Sequence, residues 1–171
     1  LLEGGKKVFD GSTVIEVKGT RVGFIGLSPP GELFPGSKLA AGPVVPAVTE
    51  ELAKLKGKVD LVVLLAAVRQ GDALQLSGAF KDQLDFIVTS GDPRGMIPAQ
   101  RADGAWLLSA GAKGQALAQL EVKLDGKGAF VDLAEVAREK ELLEGLGRRL
   151  KELEPRAKAA TDPQSKALMA Q

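Results

Sequence analysis

Histidine and cysteine are both absent from these 171 residues. Without cysteine there is no disulfide, no thiolate nucleophile and no zinc–thiolate centre. Without histidine the commonest general base and the commonest transition-metal ligand are gone as well. A carboxylate-only site for Mg²⁺ or Ca²⁺ is what remains open to metal chemistry. Tyrosine is missing too, tryptophan occurs once, and aromatics total 4%. With a net charge of only +1, neither a base-stacking surface nor a global field for phosphates is expected, so nucleic acid is not an expected partner. No apolar run reaches the roughly 20 residues that cross a bilayer, and no signal peptide is read at the start, so no membrane partner is expected either. The chain opens at Leu1-Leu2-Glu3-Gly4-Gly5 without an initiator Met. It reads as a piece of something longer, and its compartment is not legible.

What is present is globular in composition: 44% hydrophobic and 26% charged residues, enough to bury a real core. The centre of gravity is Lys58 to Arg94. Two strand-like runs lie there, Val59-Asp-Leu-Val-Val-Leu-Leu65 and Leu84-Asp-Phe-Ile-Val88. The first is apolar without alternation, as a strand buried on both faces should be. Short loops follow them, Ala66 to Gln70 and Thr89 to Arg94. In open α/β sheets chemistry sits in the loops beyond the carboxyl ends of the strands. Those loops hold a single carboxylate, Asp92.

Around this centre the chain divides readily. Leu1 to Gly11 reads as a loose lead-in. Ser12 to Glu16 and Arg21 to Leu27 read as a hairpin turning at Lys18-Gly19, and Ser28-Pro-Pro-Gly31 breaks the chain. Glu32 to Pro46 reads as an irregular loop. Val45, Val48, Leu52 and Leu55 then recur at helical spacing, which predicts a helix over Val44 to Lys56 closed by Gly57. A short helix is expected over Asp72 to Phe80, a loop or small hairpin over Met96 to Gly104, and a strand over Ala105 to Ser109. Gln115 to Leu124 alternates with period two and predicts an amphipathic strand. At Asp125-Gly-Lys-Gly128 the character changes. Asp132-x-x-Glu135 has the form of a capping box, ahead of a helix over Leu133 to Leu153 that Pro155 should end. A last short helix is expected from Thr161 to about Ala170. The expected division is an α/β unit over residues 1–124 and a helical extension over 125–171.

Taken in order, Val14 to Leu27, the following helix, Val59 to Leu65, Leu84 to Val88, Gly104 to Gly114 and Leu120 to Leu124 resemble the second half of a calcineurin-like metallophosphoesterase domain. Bacterial 5′-nucleotidases carry such a domain. The resemblance covers roughly residues 12 to 124. It implies an α/β fold, half of a two-sheet α/β sandwich, with metal-dependent phosphate-ester or nucleotide hydrolysis as the activity of the family, whose members are often exported. It also implies a metal-ligand His after the strand ending at Leu65, where this sequence has Ala66-Ala67. A Gly-His-x-His motif belongs after Val88, where Ser90-Gly-Asp-Pro-Arg94 stands. The family's earlier metal motifs precede the segment at which this chain begins.

The expectation is therefore a non-catalytic, degenerate module acting as a structural or interaction domain, with no catalytic residue, no metal ligand and no cofactor. The alternative is a fragment of a metal-dependent phosphoesterase whose N-terminal half supplies the ligands for a divalent ion such as Mn or Zn. That half, or a protein bound through the helix at 133–153, is the expected partner. Asp92 and Arg94 are the candidate substrate-binding residues, set against the plainer reading of a β-turn built from Ser, Gly, Asp and Pro. Asp60 and Asp85 lie early in their strands and read as capping or solvated groups. Gly111-Ala-Lys-Gly114 reads as a turn, with an anion-binding nest as its sharper alternative. Ser90 and Ser109 have no His to activate them. Trp106 reads as core. A third possibility is a small-ligand or anion module using the loops around Gly31, Arg69 and Arg94.

Overall fold

The computed structural model describes residues 1–29, 31–32, 34–90, 97–111, 114, 116–126 and 128–159. They form two units, Leu1–Phe130 and Val131–Gln171.

The first unit is a mixed α/β structure. Its elements are β1 (Leu2–Glu3), β2 (Lys6–Lys7), β3 (Ser12–Val17), β4 (Thr20–Leu27), β5 (Gly31–Glu32), β6 (Leu39–Ala41), α1 (Val44–Leu55), β7 (Leu61–Ala66), α2 (Gln70–Ala79), β8 (Phe86–Thr89), β9 (Ile97–Ala102) and β10 (Ala105–Ser109). Six strands make the main sheet in the order β3-β4-β7-β8-β10-β9. The four central strands run parallel, and the antiparallel hairpin partners β3 and β9 close the two edges.

The apolar runs explain why this sheet is buried in the middle. Ile25, Leu64, Ile87 and Leu107 stand opposite one another across β4, β7, β8 and β10. All are at most 4% exposed. Val48, Leu52 and Leu55 of α1, with Ala73 and Leu76 of α2, complete this cluster, so both helices pack on one face. One residue along each strand, the side chains point the other way. There Phe24, Val63, Phe86 and Trp106 form a second row. Phe130 packs on it, its ring 4.9 Å from Phe86, and its carbonyl accepts the Trp106 indole N–H at 3.0 Å. Trp106 is a core residue, as expected. Its hydrogen bond leaves Phe130 inside the first unit, six residues beyond Leu124.

The local chemistry matches the elements. Lys18 and Gly19 have φ of +50° and +82° at the β3–β4 turn, the left-handed pair that a two-residue hairpin needs. α1 ends at Lys56 and Gly57, where Gly57 takes φ +73° and Lys58 N–H reaches the Leu55 carbonyl at 2.9 Å. Ser77 of α2 is buried and its hydroxyl donates to the Ala102 carbonyl of β9.

Three expectations for the first unit are corrected. The lead-in is not loose, and the loop after Leu27 is not wholly irregular: β1, β2, β5 and β6 form a small antiparallel sheet in the order β2-β1-β6-β5. These strands are two or three residues long and carry no alternating pattern, so only the long-range pairing of Leu2 with Ala40 reveals them. The stretch 116–125 joins no sheet despite its period-two alternation. Leu117 is 93% exposed. A strand needs a neighbour for its backbone N–H and C=O groups, and the alternation cannot supply one.

The second unit contains α3 (Glu135–Ala159). Asp132 caps it, accepting the Ala134 N–H at 2.8 Å and pairing with Arg138. The helix runs through Pro155 instead of ending there. Proline costs one backbone bond, and the surrounding Glu152, Leu153, Glu154 and Ala157 are strong helix formers that carry the chain past it. The expected helix after Thr161 lies outside the described residues.

Candidate functional site

The carboxyl edge of the main sheet is defined by Leu27, Ala66, Thr89 and Ser109. Leu27 pairs with Ala66 and Ala66 with Thr89. The ladder continues one residue into the loops: Ala67 N–H donates to the Leu27 carbonyl at 2.9 Å and Ser90 N–H to the Ala66 carbonyl at 3.2 Å. The hydroxyls of Thr89 and Ser109 are engaged by backbone. Thr89 Oγ1 donates to the Leu108 carbonyl at 3.4 Å, and Ser109 Oγ accepts the Gly111 N–H at 3.2 Å. Both residues are buried. Neither is an exposed nucleophile, and no histidine exists to activate one.

Asp92 and Arg94 lie outside the described residues, as does the central part of Gly111–Gly114. The two acids at the opposite end of the strands are well placed and structural. Asp60 accepts both the backbone N–H of Arg21 at 2.8 Å and its guanidinium at 3.0 Å, and these contacts hold its carboxyl below the usual range. Asp85 accepts the Val62 N–H at 2.7 Å, while Asp85 N–H returns to the Val62 carbonyl at 3.1 Å. Burial pushes the Asp85 carboxyl up against the opposing pull of the Val62 N–H. Both acids tie neighbouring strands together at their amino ends, far along the strands from the loops.

The carboxyl edge does carry a concavity. A cavity of about 640 Å³ is lined by Pro29 after β4, Val44 and Val45 at the start of α1, Ala67 to Arg69 before α2, and Asp72, Gln75, Leu76 and Ala79 of α2. Its position follows from the topology. Each parallel crossover brings the start of a helix back beside the end of the preceding strand. The first turns of α1 and α2 are not capped by side chains. The wall is mostly apolar, with Arg69, Asp72 and Gln75 as polar groups. Such a lining suits a small ligand with an apolar body and one polar end. Of these residues only Arg69 was legible as a candidate in the sequence. Asp72 and Gln75 carry no local signal, since their relevance comes from where α2 begins.

The described residues assemble no divalent-metal centre. No group of three or more Asp, Glu, His or Cys side chains converges among them.

Comparison with solved structures places the fold. The chain is similar to the sulfate thiohydrolase SoxB of Thermus thermophilus at 18% identity and a TM-score of 0.55, covering 64% of this chain and 21% of that one. It is also similar to a candidate 5′-nucleotidase from Staphylococcus aureus at 16% identity and a TM-score of 0.50, covering 64% of this chain and 25% of that one. No family model and no curated protein matches the chain. The fold is thus metallophosphoesterase-like α/β, as expected from the ordered strands. The chain spans between a fifth and a quarter of the length of these two structures.

Proposed function

We propose that this chain is a non-catalytic, metallophosphoesterase-like module with a structural or interaction role. The observation that carries the reading is the chemistry of the carboxyl edge. The loop after β7 runs Ala67-Val68-Arg69, and the whole sequence offers no histidine or cysteine. A dinuclear site that polarises a phosphoryl oxygen and generates hydroxide needs several convergent ligands. Asp92 alone, between β8 and β9, does not hold two ions. Incubation with Mn²⁺ followed by desalting and elemental analysis should leave less than about a tenth of a metal ion per chain. Hydrolysis of a model phosphate ester should stay at the rate without protein. About two metals per chain, or chelator-sensitive hydrolysis, would overturn the reading. It would favour a phosphoesterase fragment completed by residues from elsewhere.

The cavity above Arg69 favours a second reading, a small-ligand module. A thermal shift with inorganic phosphate, nucleotides and short-chain carboxylates tests it. A binder present at a hundred times its dissociation constant stabilises the fold by about 2.7 kcal/mol. Ala67→Phe, which adds a ring to the cavity lining, should remove the shift. No shift with any of these compounds leaves the edge as scaffold only.

A further inference from the structure

The least explained surface of the molecule is the leucine face of α3. Leu143, Leu146, Leu150 and Leu153 follow one another at spacings of three, four and three residues. That is the spacing of a coiled-coil seam, with Leu143 and Leu150 at a and Leu146 and Leu153 at d. All four are exposed, by 68%, 53%, 63% and 49%. Leu142 flanks them at 64% exposure. A helix whose apolar stripe stays in water gains little from folding, so this face calls for an occupant.

The charges beside the seam say which. With that register, Glu135, Leu142 and Arg149 take the g positions, and Lys140, Gly147 and Glu154 take the e positions. In a parallel, in-register pair each g residue faces the e residue five places on in the other chain. Glu135 then meets the partner's Lys140, and Arg149 meets the partner's Glu154. Both charged pairs are opposite in sign and each occurs twice by symmetry. The remaining g–e pair sets Leu142 against glycine, which extends the apolar seam without a clash. An antiparallel pair with the same leucine layers would instead bring Arg149 against the partner's Arg149. Glu139 occupies the d position before Leu146 and marks where the seam stops, so the pairing is short.

We infer that α3 is a dimerisation helix and that its occupant is α3 of a second copy of this chain, parallel and in register. The pairing does not depend on whether the carboxyl edge of the sheet is catalytic, so it can fail or succeed independently of the proposed function.

Sedimentation of the full chain tests it. The mass should rise from 17.8 kDa towards twice that value between roughly 10 and 500 μM protein. Leu150→Glu should keep the chain monomeric throughout that range. Arg149→Glu should weaken the dimer at least tenfold, because it places two acids together at each g–e contact. Adding Glu154→Arg should restore the dimer, and high salt should shrink the difference between these variants. A monomer at every concentration would overturn the inference. So would a dimer untouched by Leu150→Glu. A charge reversal that weakens association without rescue by the second substitution would discard the parallel register and with it the proposal.

Discussion

Leu64→Ala should destabilise the Leu1–Phe130 unit by about 3–5 kcal/mol, the range for truncating a fully buried leucine in a core that cannot collapse around the gap. Leu64 sits in the centre of β7 with no exposed surface. It pairs with Ile25 on one side and Ile87 on the other, under the two helices. Strands on both sides hold the backbone, so the vacated volume stays. A loss of that size is a large share of the 5–15 kcal/mol typical of a domain. The control is the next residue. Leu65 points to the other face and is 45% exposed, so Leu65→Ala should cost less than about 1 kcal/mol. Urea unfolding followed by Trp106 fluorescence checks both. Equal losses at the two positions would mean that the two faces of β7 are not distinguished as described.

The second large effect is a pH dependence centred on Glu51. This residue of α1 is 4% exposed, an unusual place for a carboxylate. Burial alone would raise its pKa, but hydrogen bonds from Lys54 at 2.8 Å, Ser12 at 2.7 Å and Lys7 at 3.0 Å outweigh it and hold the carboxyl at about 2. The depressed value fixes the sign. The ionised form stabilises the fold fully above the ordinary value near 4.5, and that contribution drains away as the pH falls towards 2. With the two lysines half in solvent, the contribution is at most about 2–3 kcal/mol. Glu51→Gln should therefore be less stable than the parent at pH 7 by about 2 kcal/mol, and should close most of that gap at pH 2.5. A gap that stays constant from pH 7 to pH 2.5 would remove Glu51 as the source. The same site explains Gly11. A Cβ there would lie 2.6 Å from the Glu51 carboxyl group, so any larger residue must displace the ion pair.

Legibility along the chain followed the range of the forces involved. Val59 to Leu65 was readable as a buried strand because an apolar run without alternation has few other uses. Gly57 marked the end of α1 because a left-handed backbone at that point favours glycine. Gln115 to Leu124 was misread because alternation reports only one half of a strand, its two faces, and not the neighbour that must satisfy its backbone. Arg69 was visible as a cation in a loop after a strand. Its companions Asp72 and Gln75 were not, because nothing local distinguishes a helix residue that faces a cavity from one that faces water. Asp92 and Arg94, the candidates drawn from the loop after β8, lie outside the described residues.

By itself the sequence determined the long central strands, the extent of α1 with Val48, Leu52 and Leu55 on its buried side, where turns need a left-handed residue, and that no histidine or cysteine chemistry is possible. These are local or compositional, so each is written in a few adjacent residues. Only the tertiary structure decided that Leu2 pairs with Ala40, that Lys7, Ser12 and Lys54 converge on Glu51, and that a cavity opens beside Arg69. Each of these joins segments tens of residues apart, and the energy that brings them together comes from burying the sheet and its two helices as one core.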